Sequence, residues 1–183
     1  TVVNSARVSF GKRKTKWDKT DERLVRYLAK HQHHSPFRHL QIQFHIKAPE
    51  FVMRQWYKHV VGIETTSNSA TKDHAWNEIS GRYVPVEDFY MPDVYRAQSD
   101  DNKQASEGEF DGDDEVAVKA NWKQAHNMTL MAYKNLVKMG MAKEQARCIL
   151  PLTLYTEVYW TASFQAVMNF IELRNEKTAQ IEI

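Results

Sequence analysis

Residues 77–83, Asn-Glu-Ile-Ser-Gly-Arg-Tyr, set an amide, a carboxylate, a hydroxyl, a bare backbone and a guanidinium almost side by side. Such a run could cradle a polar, charged small molecule. Glycine at Gly81 lets a ligand approach the main chain, and the Arg82 guanidinium donates in a planar fork that matches phosphates. A turn leading into an extended stretch at Tyr83 would use the same residues. Further cations stand at Lys58, His59, Arg147 and Arg174. A charge-assisted hydrogen bond contributes about 1.5–3 kcal/mol, so a few that converge would hold a nucleotide. Taken singly, each reads as a solvated charge. The chain has neither a glycine-rich dinucleotide fingerprint nor a phosphate loop ending in Gly-Lys-Ser/Thr.

Two other groups could carry chemistry. Eight histidines are present, with His31, His33, His34 and His39 clustered. Their spacing at an expected helix end suits a capping or surface role better than a zinc site, which needs three or four ligands. No metal site is expected. Cys148, the only cysteine, lies between Arg147 and Ile149 in an apolar run before Pro151. It is expected to be a small buried hydrophobe rather than a nucleophile.

The elements that must position these groups follow from pattern. Asp18 can cap a helix to about His31, with Asp21 and Glu22 in its first turn and Leu24, Tyr27 and Leu28 along its apolar stripe. Pro36 should force Ser35 out of the helical region. From His39 to Lys47, Leu40, Ile42, Phe44 and Ile46 alternate with polar residues, which predicts a half-buried strand. Pro49 opens a helix through EFVMRQWYKH, on which Gln55, Lys58 and His59 share a face. Loop composition follows; then VPVEDFYMP reads as extended and 98–115 as mobile polar surface. A long helix from Asp113 to Lys138 should close at Gly140, and a shorter one should stop at Pro151. LTLYTEVYWTA has strand composition, and Ser163 should cap a last helix with Val167, Phe170 and Ile171 inward.

The totals bound the rest. At 183 residues, with 42% hydrophobic composition, the chain should form one α+β domain, a mixed or antiparallel sheet with helices packed around it. A net charge of +2 and no basic stripe with interleaved aromatics argue against a nucleic-acid module. No apolar run reaches membrane-spanning length, and TVVNSARVSF lacks a signal peptide's layout. A lone cysteine fits a reducing compartment, so a cytoplasmic protein is expected. Ile181 and Ile183 still need a partner, which suggests the ordered part of a longer chain with both termini incomplete.

Five blocks in order, ARVSF, SPFRH–QFHIKAPEFVMRQW, RQWYKH with NEISGRY, LPLTLYTEVYWTAS and MNFIELRN, resemble the flavin-dependent thymidylate synthases over nearly the whole chain. The resemblance implies a homotetramer that binds FAD in active sites shared between subunits. It implies reductive methylation of dUMP to dTMP, with methylenetetrahydrofolate giving the carbon, reduced flavin the hydride and NADPH restoring the flavin. No cysteine nucleophile is involved. Carried over by residue, Gln55, Lys58, Glu78, Ser80, Gly81, Arg82, Arg147 and Arg174 hold dUMP, with Arg82 and Arg147 at its phosphate and Arg174 facing the uracil. Arg174, Ser80 and His59 are the expected catalytic set. Flavin contacts fall to Ser9, Ser35, Arg38, Lys58, His59, Lys72, Asn77, Glu78, Ser163, Gln165 and Asn169.

The chain departs from the family pattern in places. Lys58-His59-Val60 replaces Arg-His-Arg, Arg38 replaces a glutamate, Ser163 and Gln165 stand for asparagine and arginine, and Thr178 for histidine. The family's last helices are absent. Residues 60–76 form a loop about a dozen residues longer than usual, a length that loop closure makes cheap. Lys72 or His74 is expected to restore the cation lost at Val60. These departures leave room for a catalytically weak relative that binds flavin or nucleotide. A metal-dependent nucleotide hydrolase is a more remote alternative.

Overall fold

The computed structural model describes residues 1–59, 74–85, 87–103, 105–176 and 179–183. In chain order the elements are α1 (Val2–Arg7), a 3-10 turn (Val8–Phe10), α2 (Lys19–Lys30), α3 (Ser35–Arg38), β1 (Gln41–Pro49) and α4 (Glu50–Trp56). There follow β2 (His74–Glu78), β3 (Arg96–Gln98), β4 (Ser106–Glu109), α5 (Gly112–Lys138) and α6 (Lys143–Ala146). A second 3-10 turn (Arg147–Ile149), β5 (Tyr155–Ser163) and α7 (Phe164–Arg174) complete the chain. Strands β1, β5 and β2 form a sheet with β5 in the middle, and β3 pairs antiparallel with β4. Helix and sheet are thus mixed as composition and pattern predict.

The chain divides into two compact units, each built from three separate segments. Unit 1 comprises Thr1–His45, His59–Asn77 and Tyr159–Asn175. Its core gathers on Trp160, 2% exposed, whose ring meets those of Phe44, Trp76 and Phe170 at centroid distances of 5.7, 5.4 and 5.9 Å. Phe44 of β1 and Trp160 of the neighbouring β5 stack across the two strands, at 22° between ring planes. The Asp18 side chain caps α2 and Asp21 returns to the Asp18 backbone, a reciprocal capping box. Buried Asp21 also pairs with Arg7 and Lys14, which joins the two N-terminal helices.

Unit 2 comprises Ile46–Lys58, Glu78–Val158 and Glu176–Ile183. Val52 and Met53 of α4, Tyr133 of α5, Ala146 of α6 and Val158 of β5 are buried in it. The first two backbone N–H groups of α4 are satisfied from within the unit. Glu50 donates to Leu154 O and Phe51 to Leu152 O, both at 2.9 Å, so orphan donors of a helix start find acceptors outside the helix.

Several expectations need correction. Ser35 is not expelled from helical geometry; it opens the short α3, where Pro36 fits because a helix's first turn needs no N–H. Helix α4 ends at Trp56, so Lys58 and His59 lie beyond it and share no helical face with Gln55. The polar segment 98–115 contains β4 and the start of α5. Ile171 is 46% exposed, although Val167 and Phe170 are buried as the pattern requires. Within 60–76, residues 60–73 lie outside the described residues, and the last three belong to β2.

Candidate functional site

In unit 2 the strand β2 ends at Glu78, where Ile79 N–H donates to Glu157 O of β5 at 2.9 Å. The chain then closes one turn. Tyr83 and Val84 N–H groups both donate to the Ser80 carbonyl, at 3.0 and 3.1 Å, and Arg82 N–H reaches Ser80 Oγ at 3.4 Å. Gly81 is buried inside this turn, and exposed Arg82 lays its guanidinium over the Tyr83 ring, 5.2 Å from the centroid. The turn therefore follows a strand, where the sequence suggested that it would lead into one.

This turn forms one wall of a cavity of about 760 Å³ within unit 2. Arg147 and Cys148 line it from the 3-10 turn, Glu50 from α4, Tyr133 from α5, and Tyr155 and Thr156 from β5. The volume falls in the range of small-molecule pockets. Arg147 is exposed and makes no ion pair among the described residues, so its donors are available to an anion. Cys148 is exposed, contrary to the buried hydrophobe expected, and its Sγ lies 3.4 Å from Glu144 O.

Carboxyl groups occupy the same cavity. Glu78 accepts from Tyr57 Oη at 3.1 Å on one oxygen and from Thr156 Oγ1 at 2.6 Å on the other. Burial, then the Glu78 charge, pushes the Tyr57 phenol upward, so it remains a donor near neutral pH. Burial, then Glu78, also raises the Glu50 carboxyl, while Arg54 and Arg147 pull it back. Both carboxyls can thus receive donors from a ligand.

The structure brings Glu78, Ser80, Gly81, Arg82 and Arg147 of the expected nucleotide set to this one cavity. Gln55 and Lys58 belong to unit 2 but do not line it; the Gln55 amide donates to Gln180 at 2.5 Å and Lys58 is exposed. Arg174 lies in unit 1, where its Nε donates to His59 Nε2 at 2.7 Å. In that hydrogen bond His59 Nε2 is the acceptor, a role that belongs to the neutral ring. Burial and then the Arg174 charge lower its pKa, and its ring meets Phe170 edge-on at 5.0 Å.

Most of the expected flavin set is also in unit 1. Ser9 and Ser35 are exposed, Arg38 closes α3, and Asn77 is exposed on β2. Ser163 is fully buried, and its Oγ accepts from Ala166 N–H to cap α7. Asn169 and Gln165 are half-buried on α7. The Gln165 Oε1 is buried and has no hydrogen-bond partner among the described residues. Lys72 lies outside the described residues, and so does Thr178.

Sequence reasoning did not find Tyr57, Thr156 or Glu50. Thr156 left a signal, as the polar member of the buried alternation Thr156, Val158, Trp160, Ala162. Among the described residues no group of three or more His, Cys, Asp or Glu could hold a metal ion. His31 and His33 pack on Tyr27 at centroid distances of 4.4 and 6.1 Å. No helix among the described residues is long and apolar enough to cross a membrane.

The family model described as thymidylate synthase complementing protein matches residues 1–183. The chain is 40% identical over 183 residues to a flavin-dependent thymidylate synthase of Thermus thermophilus, covering 100% of this chain and 62% of that protein. It is 39% identical over 186 residues to the enzyme so named in Kosmotoga olearia, covering 100% of this chain and 74% of that one. Among solved structures, a UMP/dUMP methylase, PolB from Streptomyces cacaoi, bound with 5-Br UMP, matches with a TM-score of 0.80 at 29% identity. That match covers 100% of this chain and 77% of PolB. The chain therefore spans less than two thirds of the length of the Thermus relative.

Proposed function

The chain belongs to the thymidylate synthase complementing protein family, and from that premise we propose that it catalyses the reductive methylation of dUMP to dTMP. The carrying observation is the cavity of unit 2, where the Ser80–Arg82 turn, Arg147 and Glu78 meet. Arg82, Arg147 and the hydroxyl of Ser80 hold the phosphate of dUMP through charge-assisted hydrogen bonds. Glu78, oriented by two hydroxyl donors, accepts a hydrogen bond from the bound nucleotide. Arg174 stabilises negative charge that develops on the uracil as C5 becomes nucleophilic. Its hydrogen bond to neutral His59 sets the plane of its guanidinium. Cys148 attacks nothing.

FAD is the proposed cofactor, and the buried, unpartnered Gln165 Oε1 fits it, because a polar ligand donor would satisfy that atom. His59, Asn77, Gln165 and Asn169 would hold it, with Lys58, Glu78 and the residues Ser9, Ser35 and Arg38 as further contacts. FAD, when bound in reduced form, supplies hydride, with methylenetetrahydrofolate and NADPH as co-substrates. We also propose a cytoplasmic homotetramer with shared active sites.

Tritium release from 5-tritiated dUMP tests the reaction. Release that needs both NADPH and methylenetetrahydrofolate, from a yellow protein, is the expected outcome. A second reading is a weak relative that binds without turnover, favoured by Ser163, which is fully buried and accepts from Ala166 N–H as a helix cap. Binding of FAD and dUMP with no release at any pH would select it. Lys72→Ala is expected to weaken flavin and nucleotide affinity; unchanged affinities would remove Lys72 from the site.

A further inference from the structure

Glu50 is a half-buried carboxyl of the cavity that the proposed reaction leaves without a task. It opens α4 directly after Pro49, and its N–H donates to Leu154 O at 2.9 Å, so the backbone beneath the side chain is held. The residue is half-buried, lines the cavity, and its carboxyl makes no hydrogen bond or ion pair among the described residues. A carboxyl in that position loses hydration that no protein donor replaces, a cost a ligand donor would relieve. The helix dipole also favours an acid in a first turn, but that preference is satisfied at an exposed position and does not call for a cavity wall. Glu78 already receives the hydroxyls of Tyr57 and Thr156. The third carboxyl of the lining, Glu144, is exposed and stays hydrated, so Glu50 is the one whose acceptor capacity calls for a ligand.

The ligand donor follows from the order of groups along a nucleotide. With the phosphate at the Ser80–Arg82 turn and Arg147, the next hydrogen-bond donors are the sugar hydroxyls; the imide N–H of uracil lies farther away. We propose that Glu50 is a specificity-determining residue that hydrogen-bonds a sugar hydroxyl of the bound pyrimidine nucleotide. The proposal rests on reading the cavity as the nucleotide site. A hydroxyl both donates and accepts, so it suits this carboxyl in either protonation state, which matters because burial and Glu78 raise its pKa.

Calorimetric binding of dUMP, UMP and 2′,3′-dideoxyuridine 5′-monophosphate to wild type, Glu50→Leu and Glu50→Gln tests it. Wild type should lose about tenfold in affinity when the hydroxyls are removed, the effect of one hydrogen bond to a charged group. In Glu50→Leu the three nucleotides should bind within about twofold of one another, while Glu50→Gln, still an acceptor, keeps part of the discrimination. A changed dUMP-to-dideoxy ratio assigns Glu50 to the 3′-hydroxyl, and a changed UMP-to-dUMP ratio to the 2′-hydroxyl. Wild-type ratios in Glu50→Leu overturn the proposal. If wild type binds none of the three, the nucleotide reading itself fails. Should Glu50→Leu melt well below wild type, the ratios in Glu50→Gln decide, and wild-type ratios there overturn the proposal equally.

Discussion

Thr156 Oγ1 donates to Glu78 Oε1 at 2.6 Å, linking the buried start of β5 to the last residue of β2. Tyr57 Oη takes the other carboxylate oxygen at 3.1 Å. The carboxylate is thereby held by hydroxyls from two separate elements, and its remaining lone pairs have a defined direction. Pre-set direction is what allows a side chain to bind a ligand donor without first losing rotamer freedom.

Removing either hydroxyl should loosen Glu78 without emptying the cavity. Thr156→Val keeps the shape and deletes the donor, and Tyr57→Phe does the same on the other oxygen. Each should weaken dUMP about three- to tenfold, the span of one net hydrogen bond. Unchanged dissociation constants in both variants, measured by calorimetry, would show that Glu78 needs no such support.

The cationic wall predicts a larger effect. Arg82→Ala and Arg147→Ala each remove a cation of the cavity wall, Arg82 lying over the Tyr83 ring and Arg147 acting on Glu50 only through space. Each should cost about ten- to a hundredfold in dUMP affinity. FAD affinity should stay at the wild-type value, because neither residue belongs to the proposed flavin set. Equal losses for both ligands would contradict that division.

How far the sequence reached depends on the kind of signal. The capped helices at Asp18 and Ser163, the alternation of β1 and the strand β5 could be read because local periodicity and capping chemistry alone create them. The end of α4 could not, since nothing local to Tyr57 and Lys58 forbids another helical turn. The β3–β4 hairpin was hidden by the polarity of Ser106–Glu109, all of it exposed, so no buried alternation marked it. At the site, residue chemistry alone marks Ser80, Arg82 and Arg147 as candidates and the resemblance assigns them to one ligand, while their convergence is visible only in the cavity. Cys148 was misjudged because its apolar neighbours Ile149 and Leu150 suggested burial, whereas the 3-10 turn leaves the thiol outward.

His59 and Arg174 predict a pH dependence. Burial and the adjacent guanidinium lower the His59 pKa below its ordinary 6.5. The unfolded chain therefore binds a proton that the folded chain resists as pH falls through 6.5, so this pair's contribution is complete above 6.5 and declines as pH falls toward the folded value. Histidine resonances followed by NMR should place His59 below 6.5 in wild type and move it upward in Arg174→Ala. No upward movement would mean that Arg174 exerts no influence on the ring.

Trp160 should be the most costly single truncation in unit 1. Its side chain is almost fully buried, and the rings of Phe44, Trp76 and Phe170 close around it. Trp160→Ala should lower stability by about 3–5 kcal/mol, through lost burial and the cavity left behind. A denaturant midpoint equal to that of wild type would show that the ring cluster is not the unit's core.

Cys148 separates a bystander from a nucleophile. Its thiol is exposed and lines the cavity, so an alkylating agent can reach it. If dUMP occupies the cavity, it should slow carbamidomethylation by iodoacetamide severalfold, as followed by mass spectrometry. The proposed chemistry gives the thiol no covalent role, so Cys148→Ala should retain tritium release within about twofold of wild type, the loss that removing one weak packing contact would cause. Protection together with retained release places the thiol beside the bound nucleotide but outside the reaction. Loss of release in Cys148→Ala, with dUMP affinity and melting temperature unchanged, would instead make the sulfur a participant and refute a mechanism without a cysteine nucleophile.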